Sequence, residues 1–209
     1  IGGTQVRNDV KILEDGVHVV VGTPGRVLDM LKKGYLKLTY LKAFVLDEAD
    51  EMLSKGFFDS MKEVIAYINP ECRVYLFSAT MPKEIVALTN NFMNDPAKIL
   101  VKNEQLTLEG IKQYYVILKK DWKLESLLDI YKGVDIAQAI IYCNSKKNVE
   151  YLTEEMKKKN HMVSSIHSDM QQQDRDRVMK EFRSGATRVL VTTDLLARGI
   201  DVYQVSIVI

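Results

Sequence analysis

The 209-residue chain has only two cysteines, no surplus of either charge and no long hydrophobic run, and each shortage excludes a class of protein. Cys72 and Cys143 have neither a CxxC spacing nor a nearby histidine, which excludes a cysteine-based metal site, and both fall in apolar runs that read as strands. Buried, reduced thiols are expected. The formal net charge of +1 rules out nonspecific attraction to phosphate over the whole surface, so any nucleic-acid site has to be local. No apolar stretch is long enough to span a bilayer, and IGGTQVRNDV at the start lacks the charged region and apolar core of a secretion signal. The expectation is a cytoplasmic protein, with a nuclear location as the alternative, and no membrane partner. There is also no low-complexity segment and no internal period.

What is present is a 46% hydrophobic composition, enough at this length for one sizeable core or two modest ones. The run VHVVVG at 17–22 passes into Thr23 and Pro24, a capping residue followed by the residue favoured at the first helical position. That reads as a strand running into a helix. KAFVLDE at 42–48 and RVYLFSATMP at 73–82 repeat the pattern, the second opening a helix over 83–94. A polar, weakly periodic stretch follows. After it come QYYVIL at 113–118, a helix over 122–131, QAIIYC at 138–143 and a long helix through Glu150, Glu154 and Lys158. HMVSSIH at 161–167, a helix over 171–183, TRVLVTT at 187–193 and a final apolar strand complete the alternation. Strands alternating with helices predict an α/β protein with parallel sheets covered on both faces, in two units. The boundaries are placed at 1–101 for the first unit, 102–110 for a linker and 111–209 for the second. The chain opens on Ile1 and stops on the apolar run 205–209, so both units are expected to be truncated. The lysines at 157–159 read as a solvated, dipole-compatible helix end.

The densest chemistry is Asp47-Glu48-Ala49-Asp50, directly after the apolar run 44–46. Carboxylates leaving the carboxyl end of a parallel strand face a ligand crevice, where one acid can hold a metal and a second can orient a water. Acids there also stabilise a helix N-terminus, and the tetrapeptide alone leaves both readings open.

Five motifs follow one another along the chain: Gly2-Gly3, Thr23-Pro24-Gly25-Arg26, Asp47-Glu48-Ala49-Asp50, Ser78-Ala79-Thr80, and TTDLLARGID at 192–201. Their order resembles the DEAD-box ATP-dependent RNA helicases over essentially the whole chain. The stretches DEADEMLSKGF, LTLEGIKQYY and EFRSGATRVLVTTDLLARGIDV resemble the eukaryotic translation initiation factor 4A subfamily, including its exon-junction relative. The resemblance implies two RecA-like domains: the C-terminal part of the first and the N-terminal part of the second. It implies ATP and Mg2+ as cofactors, with Asp47 binding magnesium through water, Glu48 positioning the hydrolytic water and Asp50 meeting the Ser78-Ala79-Thr80 turn. Asp201 would take the ATP ribose, with Arg198 and Gly199 near the nucleotide.

For RNA, the resemblance implies backbone contacts from Gly3, Thr23, Pro24, Gly25 and Arg26 in the first unit. Asn144, Gln172, Arg175 and Thr192 would match them in the second. The residue chemistry agrees, since exposed amides, hydroxyls and a guanidinium suit phosphate oxygens and read no sequence. A helical-repeat scaffold protein of the translation or exon-junction machinery is the implied protein partner. Two departures stand out. His167-Ser168-Asp169 replaces the usual His-Gly-Asp and puts a side chain where glycine permits close approach. These residues also contain no GxxxxGK(S/T) phosphate loop, no upstream glutamine motif and no HRxGRxGR element. The expected function is therefore unwinding of short RNA duplexes, or remodelling of RNA–protein complexes, by the full-length protein. The alternative is a non-catalytic RNA- or partner-binding truncation.

Overall fold

A computed structural model of the chain describes residues 5–53, 56–81, 83–89, 92–93, 95–100 and 110–209. The chain divides into two compact units, Ile1–Glu109 and Gly110–Ile209.

The first unit contains α1 (Val6–Glu14), α2 (Pro24–Lys32), β1 (Ala43–Leu46), α3 (Ala49–Met52), α4 (Phe58–Ala66), β2 (Arg73–Leu76) and α5 (Lys83–Thr89). β1 and β2 pair in parallel, with Ala43 opposite Arg73 and Leu46 opposite Leu76. Side chains alternate across a strand, so Phe44, Leu46 and Leu76 point one way, into a core with Ala49, Leu53, Met61 and Ile85. A neighbouring cluster of Leu28, Leu31 and Val64 ties α2 to α4. Among the described residues the opposite face of the sheet is bare: Val45, Tyr75 and Phe77 are 57%, 42% and 56% exposed. The expected coverage of both faces is not seen among the described residues of this unit. Nor is 17–22 a strand; the run pairs with nothing among the described residues, leaving Val21 94% exposed. A β-compatible sequence forms a ladder only when a neighbouring backbone supplies the other half of each hydrogen bond.

The second unit runs from a 3-10 turn at Lys120–Trp122 through α6 (Lys123–Gly133), β3 (Gln138–Tyr142), α7 (Lys146–Lys158), β4 (Val163–Ile166), α8 (Gln172–Arg183) and β5 (Val189–Thr192). It closes with a 3-10 turn at Asp194–Leu196 and β6 (Val205–Val208). The four strands are all parallel, in the order β4-β5-β3-β6. Both faces are covered here. Ile141, Val163, Val189 and Val191 pack with Leu127, Val149 and Met156 of α6 and α7. On the other face Ile140, Ile166 and Leu190 pack with Val178 and Phe182 of α8.

The expected strand at 113–118 is unpaired among the described residues, with Tyr115 and Ile117 exposed, for the same reason as 17–22. The expected helix over 83–94 is described only as Lys83–Thr89, with residues 82, 90, 91 and 94 outside the described set. Helices α1 and α4 are amphipathic elements that the sequence reading does not include. Cys72 is buried and Cys143 half-buried, both as free thiols that flank strands instead of lying in them, and burial raises both thiol pKa values. No described helix is long and apolar enough to cross a membrane.

Phe182 is completely buried at the centre of the α8 face, and its carbonyl accepts a 2.6 Å hydrogen bond from the buried Gln138 amide. Phe182→Ala is expected to cost the second unit about 3–5 kcal/mol. Urea unfolding followed through Trp122, the chain's single tryptophan, checks this without interference from the first unit.

Candidate functional site

Leu46 ends β1 buried, and the parallel ladder continues one step beyond it: Phe77 N–H donates to Leu46 O at 2.8 Å, and Ala49 N–H to Phe77 O at 3.0 Å. These two bonds draw the acidic turn after β1 against the Ser78-Ala79-Thr80 turn after β2. Asp50 N–H donates to Ser78 Oγ at 3.2 Å, Thr80 Oγ1 to Asp50 Oδ2 at 2.7 Å, and Ser78 Oγ to Thr80 O at 2.7 Å. Asp50 Oδ1 accepts the Glu51 amide at 3.0 Å. Both oxygens of Asp50 are thus engaged, one within the first turn of α3 and one on Thr80. The helix-terminus and turn-coupling readings coexist in this residue.

Glu48 occupies the left-handed region, φ 50° and ψ 48°, which is uncommon for a residue with a Cβ. It turns the backbone from strand into helix, held by its N–H on Asp47 Oδ1 at 2.9 Å and by its carbonyl, which accepts the Glu51 and Met52 amides at 2.9 and 3.0 Å. A conformation of this kind costs roughly 1–3 kcal/mol and persists where its surroundings over-determine it, commonly at functional sites. Asp47 is exposed at the strand's carboxyl end. No cluster of three metal-ligating side chains exists among the described residues, so a cation at Asp47 would take most of its ligands from water and phosphate, the usual arrangement for Mg2+.

The other first-unit candidates surround the start of α2. Thr23 sits at the N-cap with extended backbone, and its side chain makes no capping bond; Pro24 is the first helical residue. Gly25 is exposed, with nothing within 4 Å of an added Cβ, so packing in this chain does not demand a glycine there. Arg26 forms an ion pair with Asp9 of α1. Gly3 lies outside the described residues.

In the second unit the loops after β3, β4 and β5 share one edge of the sheet. Asn144 is exposed beside an open depression of about 660 Å³ lined by Tyr142, Cys143, Asn144, Asp194, Ala197 and Val208. Gln172 donates to Asp176 at 2.8 Å. Arg175 spends two donors on its own protein, Nε to Met170 O at 3.0 Å and a terminal nitrogen to Ser168 O at 2.9 Å, and so braces the turn after β4. Ser168 has no positive φ, so the backbone accepts serine there; its hydroxyl donates to Asp169 at 3.1 Å. The Lys146 ammonium, 2.6 Å from Asp169, and then the Ser168 hydroxyl hold the Asp169 carboxyl below the usual carboxylate range, and Asp169 in turn raises Lys146.

The Thr192 side chain lies in the core. It is 0% exposed and its hydroxyl donates to Ile166 O at 3.0 Å, since a side chain on the last residue of a doubly covered strand points into the layers. Its neighbour Thr193 is the one at the surface, where its hydroxyl accepts the Leu195 amide at 3.4 Å. Strand alternation carries this distinction, but the sequence alone did not show where β5 ends. In the following loop Arg198, Gly199 and Asp201 are exposed while Leu196, Ile200 and Val202 pack onto the core. Tyr142 Oη donates to Leu196 O at 2.8 Å, and Gly199 adopts φ 74°, which glycine takes without strain.

Residues 1–88 match the family model for the DEAD/DEAH box helicase, and residues 122–209 match that for the helicase conserved C-terminal domain. The chain is 57% identical over its whole length to eukaryotic initiation factor 4A of Cryptosporidium parvum and, equally, to that of Drosophila melanogaster, covering 52% of each. It spans about half the length of the curated relatives it matches. Among solved structures, S. cerevisiae Dbp5 bound to RNA and ADP BeF3 superposes with a TM-score of 0.82 at 36% identity, over 91% of this chain and 49% of that one. A further S. cerevisiae Dbp5 structure, bound to Gle1 and ip6, gives a TM-score of 0.66 at 36% identity over 91% of this chain and 48% of that one. The two units are RecA-like α/β helicase domains, and the chain belongs to the DEAD-box helicase family, closely related to the initiation factor 4A members.

Glu48→Gly is expected to stabilise the first unit by about 1 kcal/mol, because glycine adopts the left-handed conformation without the Cβ penalty. Urea unfolding by far-ultraviolet circular dichroism checks it; a destabilised variant means that the Glu48 side chain itself holds the turn.

Proposed function

We propose that the full-length protein is an RNA-dependent ATPase that unwinds short RNA duplexes or remodels RNA–protein complexes, acting in translation initiation. The observation that carries this reading is the coupling of the acidic turn to Ser78 and Thr80 through Asp50, beside a strained Glu48 and an exposed Asp47. A helix terminus needs only acids in its first turn. It does not need two hydroxyls from the next strand's loop, nor a carboxylate left at the strand end.

ATP with Mg2+ supplies the phosphoanhydride and the charge neutralisation for its cleavage. Asp47 would hold the cation, and Glu48 would fix the position of the attacking water. Asp50 relays the state of the acidic turn to Ser78 and Thr80, so that a small shift at either loop moves both. In the second unit Asp201 offers its carboxylate to the ribose hydroxyls, with Arg198 and Gly199 on the same anchored loop. Thr23, Gly25 and Arg26, together with Asn144, Gln172 and Arg175, present donors to the RNA backbone. Arg175 does so while bracing the turn beside it. This arrangement grips phosphate and sugar and reads no bases.

Dbp5 in its solved structures is bound to RNA and ADP BeF3, and in another to Gle1, which supports RNA and a scaffold protein as partners for the present chain's parent. We take that scaffold to be a helical-repeat protein and the setting to be the cytoplasm. The 209-residue chain carries the later part of the first RecA-like domain and the earlier part of the second, without a phosphate loop. Alone it is expected neither to hydrolyse ATP nor to unwind RNA.

Glu48→Gln in the full-length protein keeps the side-chain shape and removes the carboxylate. Loss of at least 100-fold in RNA-stimulated turnover, with ATP-dependent RNA binding retained, is roughly the effect expected of removing a group that positions the nucleophile. Unchanged turnover would sink the assignment. Competition between matched RNA and DNA oligonucleotides is expected to favour RNA through the 2'-hydroxyl.

A further inference from the structure

We propose that Gly22 is a positioning residue for RNA binding: its lack of a side chain lets the backbone run against Val27 and thereby sets where Thr23 and the first turn of α2 stand. The proposal rests on the reading of that turn as an RNA-backbone contact and adds to it the residue that fixes its place.

The contact is specific to this position. Among the described glycines, Gly22 is the one whose added Cβ would meet another atom within 4 Å, and that atom, Val27 Cγ2, would lie only 2.8 Å away. Carbon atoms rest about 3.5 Å or more apart, which leaves a shortfall of roughly 0.7 Å. Gly22 has no positive φ, so space and not backbone conformation is what asks for glycine here. Gly25, inside the turn itself, has nothing within 4 Å of an added Cβ.

Val27 is poorly able to give way. A β-branched side chain has one strongly preferred rotamer in a helix, and this one packs against the cluster of Leu28, Leu31 and Val64 that ties α2 to α4. Its N–H donates to Thr23 O at 3.0 Å, the bond that opens α2. The space that an added methyl needs therefore has to come from the backbone where Gly22 joins Thr23. Thr23 makes no capping bond, so the place of its hydroxyl is set by that backbone and not by a bond to the helix. Hydrogen bonds weaken steeply as distance and angle depart from their optimum, and a shift of this size is felt by a bound phosphate.

A positioning role and a general loss of stability are told apart by a second substitution. Val27→Ala removes both γ-carbons and with them the clash, so it rescues a displaced turn; if Gly22→Ala only weakens the unit, the lost Val27 packing adds to the damage. The experiment uses the full-length protein with ADP–beryllium fluoride and a labelled oligouridine, titrated by fluorescence anisotropy, with the affinity for a fluorescent ATP analogue measured separately in the absence of RNA. Gly22→Ala is expected to weaken RNA binding roughly threefold to tenfold, the worth of one or two hydrogen bonds, with analogue affinity unchanged. Val27→Ala alone and the Gly22→Ala/Val27→Ala pair are each expected to bind RNA within about twofold of the wild type, the non-additive result that a shared contact produces.

Wild-type RNA affinity in Gly22→Ala, a double variant no better than Gly22→Ala, or an equal loss of analogue affinity overturns the proposal and leaves the helicase reading intact. The underlying reading has its own control: Thr23→Ala is expected to weaken RNA binding, and if it does not, or if the wild type fails to bind oligouridine in the nucleotide-bound state, the assignment of this turn to RNA falls instead. Circular dichroism of each variant separates loss of fold from loss of position.

Discussion

Parallel pairing of strands is the constraint on which the rest of the molecule depends. In a parallel sheet every strand runs the same way, so every loop that follows a strand emerges on one edge. In the first unit this sets the turn after β1 beside the turn after β2 and lets Asp50 meet Ser78 and Thr80, about 30 residues further along, within ordinary hydrogen-bond distance. In the second it gathers Asn144, Ser168 and Thr193 from three separate loops. Chemistry that the sequence scatters over long intervals becomes local because the backbone has no other way to run.

The two units meet that constraint with different resources. The second has four strands and apolar layers on both faces, so its functional loops are fastened by residues that do no chemistry, such as Leu196, Ile200 and Val202 beneath Arg198, Gly199 and Asp201. The first shows two strands among the described residues and relies more on polar bonds at the edge itself. There Glu48 is held in an unfavourable backbone conformation by three hydrogen bonds. Strain of this sort needs a rigid frame, and the ladder bonds that run past Leu46 supply it.

Much of this was legible in the sequence, and the reasons are specific. The buried runs of β3 and β5 read correctly because doubly covered strands are continuous in apolar residues, and the α7 and α8 patterns read correctly because their cores lie on a 3.6-residue period. The runs at 17–22 and 113–118 looked the same but form no ladder among the described residues, since composition records what a segment suits and not what lies next to it. The acidic turn and its two hydroxyl partners could be named from motif order, whereas the strained Glu48 backbone could not. Thr192 ends β5 with its side chain in the core, and one position along a strand is the difference between the core and the surface. The Lys146–Asp169 pair left no trace at all, because nothing in a sequence links the start of α7 to the turn after β4.

The bare face of the first sheet has a practical consequence. Among the described residues Val45, Tyr75 and Phe77 form an apolar strip on a short sheet, and Val19 to Val21 are exposed as well. Uncovered apolar area and unpaired strand-like backbone are the features on which chains stick to one another. A preparation of these 209 residues will therefore behave as a colloid before it behaves as an enzyme fragment: its solubility will fall with concentration and with stabilising salts, and its hydrodynamic size will report how much of that strip is in contact with another molecule.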